Sequence, residues 1–338
     1  LAFHRVHRTI LILDPLQTSR RAAYQEIRFM AWTQISDYSH PAGWSATDPD
    51  AQARQYCSEL ERGGILYFPN IPFAFPEADR QFLLSQKQSG FRHHKNVSYR
   101  PASDVLRGSS NDDPADTKRL QELMRNYSHA VTEFLGRFLK PYVGKWKLDY
   151  ASFRPLEEQG RDLPVHKRND LAHVDAFPSR PTNGARILRV FTNINPTAPR
   201  IWEVIRPFEK VAQRLAPGAG LDRFAKEAQS PLRPLRRGLS PLLKVVGVPD
   251  RSAYDKFMLH FHDYLKENDD FQQKWDKERI EFPPFSTWMV YTDTVPHAVM
   301  SGQFALEQTF IMPIDAMVSP QTSPLKVLEG LCGCRLSN

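Results

Sequence analysis

Apolar residues after Asp116 recur at Leu120, Leu123, Met124, Tyr127, Val131, Phe134, Leu135, Phe138 and Leu139, one face of a long amphipathic helix. Asp48 followed by Pro49 sets up an earlier helix, with an acceptor at the cap and then a residue whose missing N–H is harmless at the first position. That helix is expected to run through Cys57 and Leu60 and to stop at Gly63-Gly64. ILYFPN (65–70) then reads as a short buried strand, ended by Pro69, Asn70 and Pro72. Residues 88–113 are polar and rich in Gly and Ser, which predicts a surface loop.

Beyond Gly144 the period shifts from that of a helix to that of a strand. LDYASFRP (148–155), LAHVDAF (171–177), ARILRVFTNIN (185–195), STWMVYTDT (286–294) and ALEQTFIMPI (305–314) are short and rich in β-branched and aromatic residues. Several such strands in one half of a chain predict a sandwich or jelly-roll barrel. Helical periods interrupt them at 202–216 and at Tyr254–Glu267, where Tyr254, Phe257, Met258, Phe261 and Leu265 share a face. The expected class is α+β: a double-stranded β-helix (jelly-roll) core braced by N-terminal and inserted helices. One domain, 30–338, would hold supporting helices and strands over 30–144 and the core over 145–325, with a basic helical insertion at about 202–275.

Residues 1–29 carry five Arg ahead of Met30 but no apolar core with a small-residue cleavage site, so they do not read as a targeting peptide. The chain opens with Leu, and an extended reading frame that packs poorly is the expectation for this stretch. The 338 residues suffice for a sizeable core, and no apolar run approaches the roughly 18 residues of a membrane-spanning helix. A net charge of +7 and a pI near 9.3 favour an acidic partner, although moderate positive charge serves solubility equally well. The basic residues are spread out and no recognised module appears, which argues against nucleic acid. Cys57, Cys332 and Cys334 are too few and too odd for a disulfide framework and point to a reducing compartment such as the cytosol. One segment, 229–249, interleaves Arg233, Arg236, Arg237 and Lys244 with leucines and valines and holds no acid. It reads as a patch resting on an anionic membrane, each basic residue worth about 1 kcal/mol; a solvated basic loop is the alternative.

His173-Val174-Asp175 lies in an apolar stretch that reads as a strand, and residues two apart on a strand project to the same side. An imidazole and a carboxylate aimed at one point are two sites of a metal centre. His-x-Asp alone is weak, since a strand-end ion pair has the same pattern. His297 supplies the third ligand from DTVPHAVMSG, at a turn marked by Pro296. Two histidines and one carboxylate on one face leave the opposite positions open, as in non-haem Fe(II) oxygenases. His260 and His262 are two apart on an expected helix and so point in different directions. His166 and Lys167 sit in a loop close enough in sequence to line the mouth of the site. A 2-oxoglutarate enzyme also needs a cation for the cosubstrate's distal carboxylate, and arginine does this best because its planar fork makes two parallel hydrogen bonds. Many such enzymes place it some ten residues after the last histidine, but QFALEQTFIM holds none. Arg189 is the candidate, against a structural salt bridge, with Asn193, which shares its strand parity and that of Phe191, as a further cofactor-binding candidate; Arg154 is the second cation.

HKRNDLAHVDAFPSRPTNGARILRVFTNINP (166–196) resembles the Kdo (3-deoxy-D-manno-oct-2-ulosonic acid) hydroxylases of Gram-negative bacteria. GGILYFPNIPF (63–73), ASDVLRG (102–108), SFRPLEEQGRDLP (152–164), FHDYLKEN (261–268) and TVPHAVMSGQFALEQTF (294–310) extend the resemblance from about Met30 to the C-terminus. It implies a jelly-roll oxygenase that uses Fe(II) and 2-oxoglutarate to hydroxylate carbon 3 of a Kdo sugar on the lipid A inner core. The family's two histidines and acid fall on His173, Asp175 and His297, and its site arginines on Arg154, Arg189 and Arg200. A deoxy methylene offers neither an acidic proton nor a leaving group, so oxidative hydrogen abstraction suits it where acid–base catalysis does not. The resemblance also implies a peripheral position on the cytoplasmic face of the inner membrane. An oxygenase of the same fold acting on another anionic lipid or metabolite would share the metal residues, and a non-catalytic jelly-roll could simply hold lipopolysaccharide.

Overall fold

The period-2 segments form two sheets that face each other, and helices back the larger one. The computed structural model describes residues 32–86, 96–109, 113–205, 207–230 and 250–337, which belong to one unit, Ala31–Asn338. The expectations for residues 1–29 and for most of the basic segment 229–249 lie outside the described residues. In chain order the strands are β1 (Trp32–Gln34), β2 (Tyr38–Ser39), β3 (Gly43–Trp44), β4 (Ile65–Phe68), β5 (Val97–Arg100), β6 (Val105–Arg107) and β7 (Lys147–Arg154). They continue with β8 (Arg186–Asn193), β9 (Arg200–Val204), β10 (Glu278–Phe282), β11 (Thr287–Tyr291), β12 (His297–Ser301) and β13 (Ala305–Met312). The helices are α1 (Pro49–Glu61), α2 (Glu77–Ser85), α3 (Pro114–Phe138), α4 (Phe208–Leu215), α5 (Leu221–Ala228), α6 (Ala253–Glu267), α7 (Asp269–Lys274) and α8 (Pro324–Cys332).

A major sheet has the order β1-β4-β11-β8-β13-β7-β5-β6, and a minor sheet the order β10-β9-β12. The outer face of the major sheet meets α1 and α3. Asp113 caps α3 by accepting from the Ala115 N–H, and the apolar stripe from Leu120 to Phe138 buries against Phe68, Ala151, Phe153 and Leu188. Each such side chain removed from water contributes about 1.5–3 kcal/mol. On the inner face, Ile65 and Tyr67 of β4, Phe191 of β8 and Trp288 and Val290 of β11 pack against Trp202, Val204, Ile280, Phe282 and Val299 of the minor sheet. Strands β13, β7, β5 and β6 supply nothing to that inner cluster. The apolar contacts of the minor sheet therefore fall on the β4–β11–β8 part of the major one. A third cluster gathers α4, α5, α6 and α8 around Ala172 and Val174.

Three expectations are corrected. Residues 97–107, expected as loop, form β5 and β6, with Val97 and Tyr99 buried and Ser98 and Arg100 turned to the other face. Residues 202–204, expected as the start of a helix, belong to β9; its alternation buries Arg200, Trp202 and Val204, and the helix begins only at Phe208 after Pro207. LAHVDAF, expected as a strand, has no ladder and makes a single antiparallel bridge between His173 and His297. It spans the gap between sheets: the His173 N–H bonds to His297 O at 3.1 Å, beside the minor sheet, and the Asp175 N–H bonds to Thr292 O at 2.9 Å, beside the major one.

Candidate metal centre

His173 and Asp175 lie on this extended connector, and His297 opens β12 directly opposite. Val174, between the two ligands, is fully buried in the helical cluster, which turns its neighbours the other way into the space between the sheets. One ligand atom from each of His173, Asp175 and His297 lies within 4.8 Å of the others, and His173 Nε2 is 3.8 Å from Asp175 Oδ1. His173 Nδ1 donates to Leu171 O at 2.7 Å and His297 Nδ1 donates to Val295 O at 2.8 Å. A carbonyl only accepts, so both rings carry their proton on Nδ1 and turn an Nε2 lone pair inward. Trp202 stacks on the His297 ring with centroids 4.9 Å apart, and His262 meets the His173 ring edge-on at 4.7 Å. His262 is fixed in turn by Nδ1 donating to Val174 O at 2.7 Å.

Burial holds His173 well below the usual histidine pKa and lowers His297 too, so both are neutral. Burial opposes ionisation of Asp175, but the Arg189 guanidinium and the two imidazoles outweigh it and hold the carboxyl well below the usual carboxylate range. Two neutral imidazoles and one ionised carboxylate are the protonation states a metal requires. Asp175 Oδ2 is buried without an aligned hydrogen-bond donor, although Arg189 Nη2 lies 3.2 Å away. An under-used buried carboxylate oxygen beside two inward lone pairs fits a divalent cation.

Around these ligands lies a layer of arginines. Arg189 reaches Glu307 Oε1 at 3.1 Å as well as Asp175. Arg154 pairs with Glu307 Oε2 through Nη2 and, at 3.1 Å, through Nε. Arg200 donates to Gly302 O at 3.0 Å, stands 3.6 Å from Glu158, and keeps a buried Nε without a partner. Burial, with Arg154 nearby, lowers Arg200 to about 10. Gly302 has φ +133, and a Cβ there would meet Arg200 Cγ at 2.7 Å, so only glycine lets the guanidinium pass.

The structure thus brings His173, Asp175, His297, Arg154, Arg189 and Arg200 to one cavity, also lined by Asn169, Phe191 and Trp202. The other three candidates stand elsewhere. The amide nitrogen of Asn193 donates to Ala198 O, Phe282 O and Pro283 O, and its oxygen accepts from the Asn195 N–H; it organises a turn and does not line the cavity. His166 pairs with Glu267 on the exposed surface, and Lys167 is exposed on the same turn. Sequence reasoning missed Glu307, the acid that holds two of the arginines, because a lone acid within the apolar run QFALEQTFIM carries no signal of its own. It also set aside His262: the two-residue spacing from His260 does send the rings apart, and one of them lands on a metal ligand.

A jelly-roll whose facing sheets hold two imidazoles and one carboxylate around an arginine-lined cavity defines the non-haem Fe(II), 2-oxoglutarate-dependent oxygenase class. The model of the 3-deoxy-D-manno-oct-2-ulosonic acid (Kdo) hydroxylase family matches residues 43–335. The chain belongs to the Kdo hydroxylase family. Among solved structures it is similar to KdoO, a Kdo hydroxylase and non-haem Fe(II) alpha-ketoglutarate-dependent dioxygenase, in complex with alpha-ketoglutarate and Fe(III). The identity is 34% over 90% of this chain and 97% of that one, with a TM-score of 0.76. KdoO with cobalt(II) is 35% identical over 91% of this chain and 98% of that one, with a TM-score of 0.77. KdoO has also been solved with succinate and Fe(III), at 35% identity, 91% and 98% coverage and a TM-score of 0.76. No curated protein sequence matches the chain.

Proposed function

We propose that this protein hydroxylates carbon 3 of a Kdo sugar in the lipid A–Kdo inner core of lipopolysaccharide, with Fe(II) and 2-oxoglutarate as cofactors. The observation that carries the reading is the donor set, two inward Nε2 lone pairs and an ionised carboxylate, beside a layer of arginines. His173, Asp175 and His297 would hold the iron. Arg189, already next to Asp175, would anchor the distal carboxylate of 2-oxoglutarate through its planar fork. Arg154 and Arg200 remain for the carboxylate of the sugar, which fixes which methylene faces the metal. When bound, iron and 2-oxoglutarate would, with dioxygen as co-substrate, supply an oxidant able to take hydrogen from an unactivated carbon; one oxygen atom would go to the sugar and the other to succinate, with release of carbon dioxide. Phe191 and Trp202 form the apolar wall of the cavity. Around the cavity, Arg154, Arg189 and Arg200 face Asp175, Glu307 and Glu158, so a dication and a dianion enter without disturbing the local charge.

The same reading makes this a peripheral protein of the cytoplasmic face of the inner membrane, since lipid A stays in the bilayer. No helix among the described residues is long and apolar enough to cross a membrane, and the basic, leucine-rich residues 229–249 suit contact with anionic headgroups. The decisive experiment is mass spectrometry of the lipid A–core from cells with and without the protein. One added oxygen on Kdo is expected only with it, together with iron- and oxygen-dependent succinate formation by the purified protein. Metal binding without succinate would leave only a lipopolysaccharide-holding role.

A further inference from the structure

The apolar contacts of the minor sheet stop over β8, and among the described residues no strand packs on the inner face of β7, β5 and β6, which continues beyond the cavity as a half-exposed shelf. Its composition follows from register. Ser98 pairs with both Ser152 and Arg107, so all three share a face, and a period of two adds Arg100, Tyr150 and Arg154 to it. The alternate residues Val97, Tyr99, Ala151 and Phe153 fill the core behind. Arg154 belongs to the cavity, which makes the shelf and the cavity one continuous surface.

The shelf is strongly cationic, and its cations are set out on aromatic rings. The Arg180 guanidinium lies 4.0 Å from the Tyr150 ring centre and 4.4 Å from that of Phe177, and Arg100 lies 4.9 Å from Tyr150. Phe177 also underlies Arg189, at 5.5 Å, so cations and rings alternate from the metal ligands out to the shelf. Arg180 is paired with Asp149 at 3.1 Å. Arg100 and Arg107 have no acidic partner among the described residues, and the buried Nε of Arg100 has no acceptor. They are diagonal neighbours on adjacent antiparallel strands, a spacing of about 7–8 Å that long side chains bridge.

We propose that Arg100 and Arg107 form a subsite for a phosphate monoester that the substrate carries beyond the reacting sugar. Two adjacent guanidiniums with no acidic partner among the described residues match a group of about −1.5 to −2 charge with three acceptor oxygens. A sugar carboxylate, with a single charge, is already served by the arginines of the cavity. Strand spacing puts Arg100 three strands, about 14 Å, and Arg107 four strands, about 19 Å, from Arg189, outside the space of the reacting sugar. The proposal rests on a Kdo-bearing substrate entering the cavity.

The test compares Kdo-bearing acceptors that differ only in a phosphate, using the parent protein and an Arg100→Gln/Arg107→Gln double variant. Both side chains are at least partly exposed, so the fold is kept, and Arg180 is left in place to pair Asp149. The parent is expected to show a KM roughly 10–100-fold lower for the phosphorylated acceptor, as the loss of one or two charge-assisted hydrogen bonds implies. The double variant should lose that preference while keeping its kcat, its KM for 2-oxoglutarate and its KM for the dephosphorylated acceptor. An unchanged KM for the phosphorylated acceptor, or an equal loss on both acceptors, overturns the subsite while leaving the hydroxylase reading intact. No turnover of either acceptor by the parent overturns both. A variant that loses binding to anionic vesicles with acceptor kinetics unchanged assigns the arginines to the membrane and also overturns the subsite.

Discussion

Arg189 touches Asp175 on one side and Glu307 on the other, at 3.2 and 3.1 Å, so charge and shape both matter there. Lysine keeps the charge but loses the fork. Arg189→Lys should raise the KM for 2-oxoglutarate roughly 10–100-fold, a charge-assisted hydrogen bond being worth about 1.5–3 kcal/mol, with a smaller change in kcat. If Arg154→Lys shows that effect instead, the two arginines exchange roles. Asp175→Ala removes the anionic ligand. It should abolish turnover and weaken cobalt(II) binding by more than the 10–100-fold typical of losing an outer partner, with an unchanged far-ultraviolet circular dichroism spectrum. Unimpaired metal titration in that variant removes Asp175 from the centre. The candidate triad was legible because its residue types and the two-residue spacing suggest metal chemistry directly, and the structure brings the three side chains together. Glu307 was not, since a lone acid in an apolar strand announces nothing until its strand neighbours are known: Arg154 and Arg189 reach it from β7 and β8, over a hundred residues away.

Helix α6 carries His262 to the His173 ring, and its start is fixed by a reciprocal cap. The Ser252 hydroxyl accepts from the Asp255 N–H at 3.1 Å, and Asp255 accepts from the Ser252 N–H at 3.1 Å. Asp255 also accepts from the N–H groups of Thr182 and Asn183, at 2.8 and 2.9 Å, which ties the helix to the chain just beyond Asp175. Asp255→Ala strips an acceptor from three backbone donors. It should cost roughly 3 kcal/mol and lower the melting temperature by about 5–10 °C in calorimetry, against about 1 kcal/mol for Ser252→Ala. A loss no larger than that of Ser252→Ala would leave Asp255 as a local cap and nothing more. Helices α1, α3 and α6 were readable because caps and a 3.6 period repeat over many residues. The connector 171–177 has a strand's composition but no neighbour on which to build a ladder. Strands β5 and β6 are three or four residues long, too short for alternation to stand out from a polar surrounding. In both cases partners distant in sequence decide the outcome, and local pattern does not contain them.

For the whole molecule, the buried histidines set how stability depends on pH. Burial lowers His173, His297 and His262, which stay neutral in the folded state, whereas in the unfolded chain they titrate near about 6.5. Below that pH the unfolded state binds more protons, so stability falls by up to about 1.4 kcal/mol per pH unit for each group. Asp175 and Glu307, held low by arginine, add their loss only below about pH 4. His166, raised by its pairing with Glu267, acts in the opposite sense, but it is exposed and weakly coupled. The urea midpoint of metal-free protein should therefore be level from pH 8 to 7 and fall between 6.5 and 5; a midpoint level across that lower range would mean the histidines are not desolvated. At the same scale, changing Arg233, Arg236, Arg237 and Lys244 to Gln should shift the protein from sedimenting with anionic vesicles to the supernatant. Parent-like sedimentation would show that these residues do not make the membrane contact. The reciprocal bridge between His173 and His297 has one more consequence, for the order in which the chain folds. It closes a loop of roughly 120 residues, so its entropy is recovered only after the strands and helices in between have formed. The ligand set is thus a late product of folding, and variants that disturb it should chiefly speed unfolding and leave the folding rate alone.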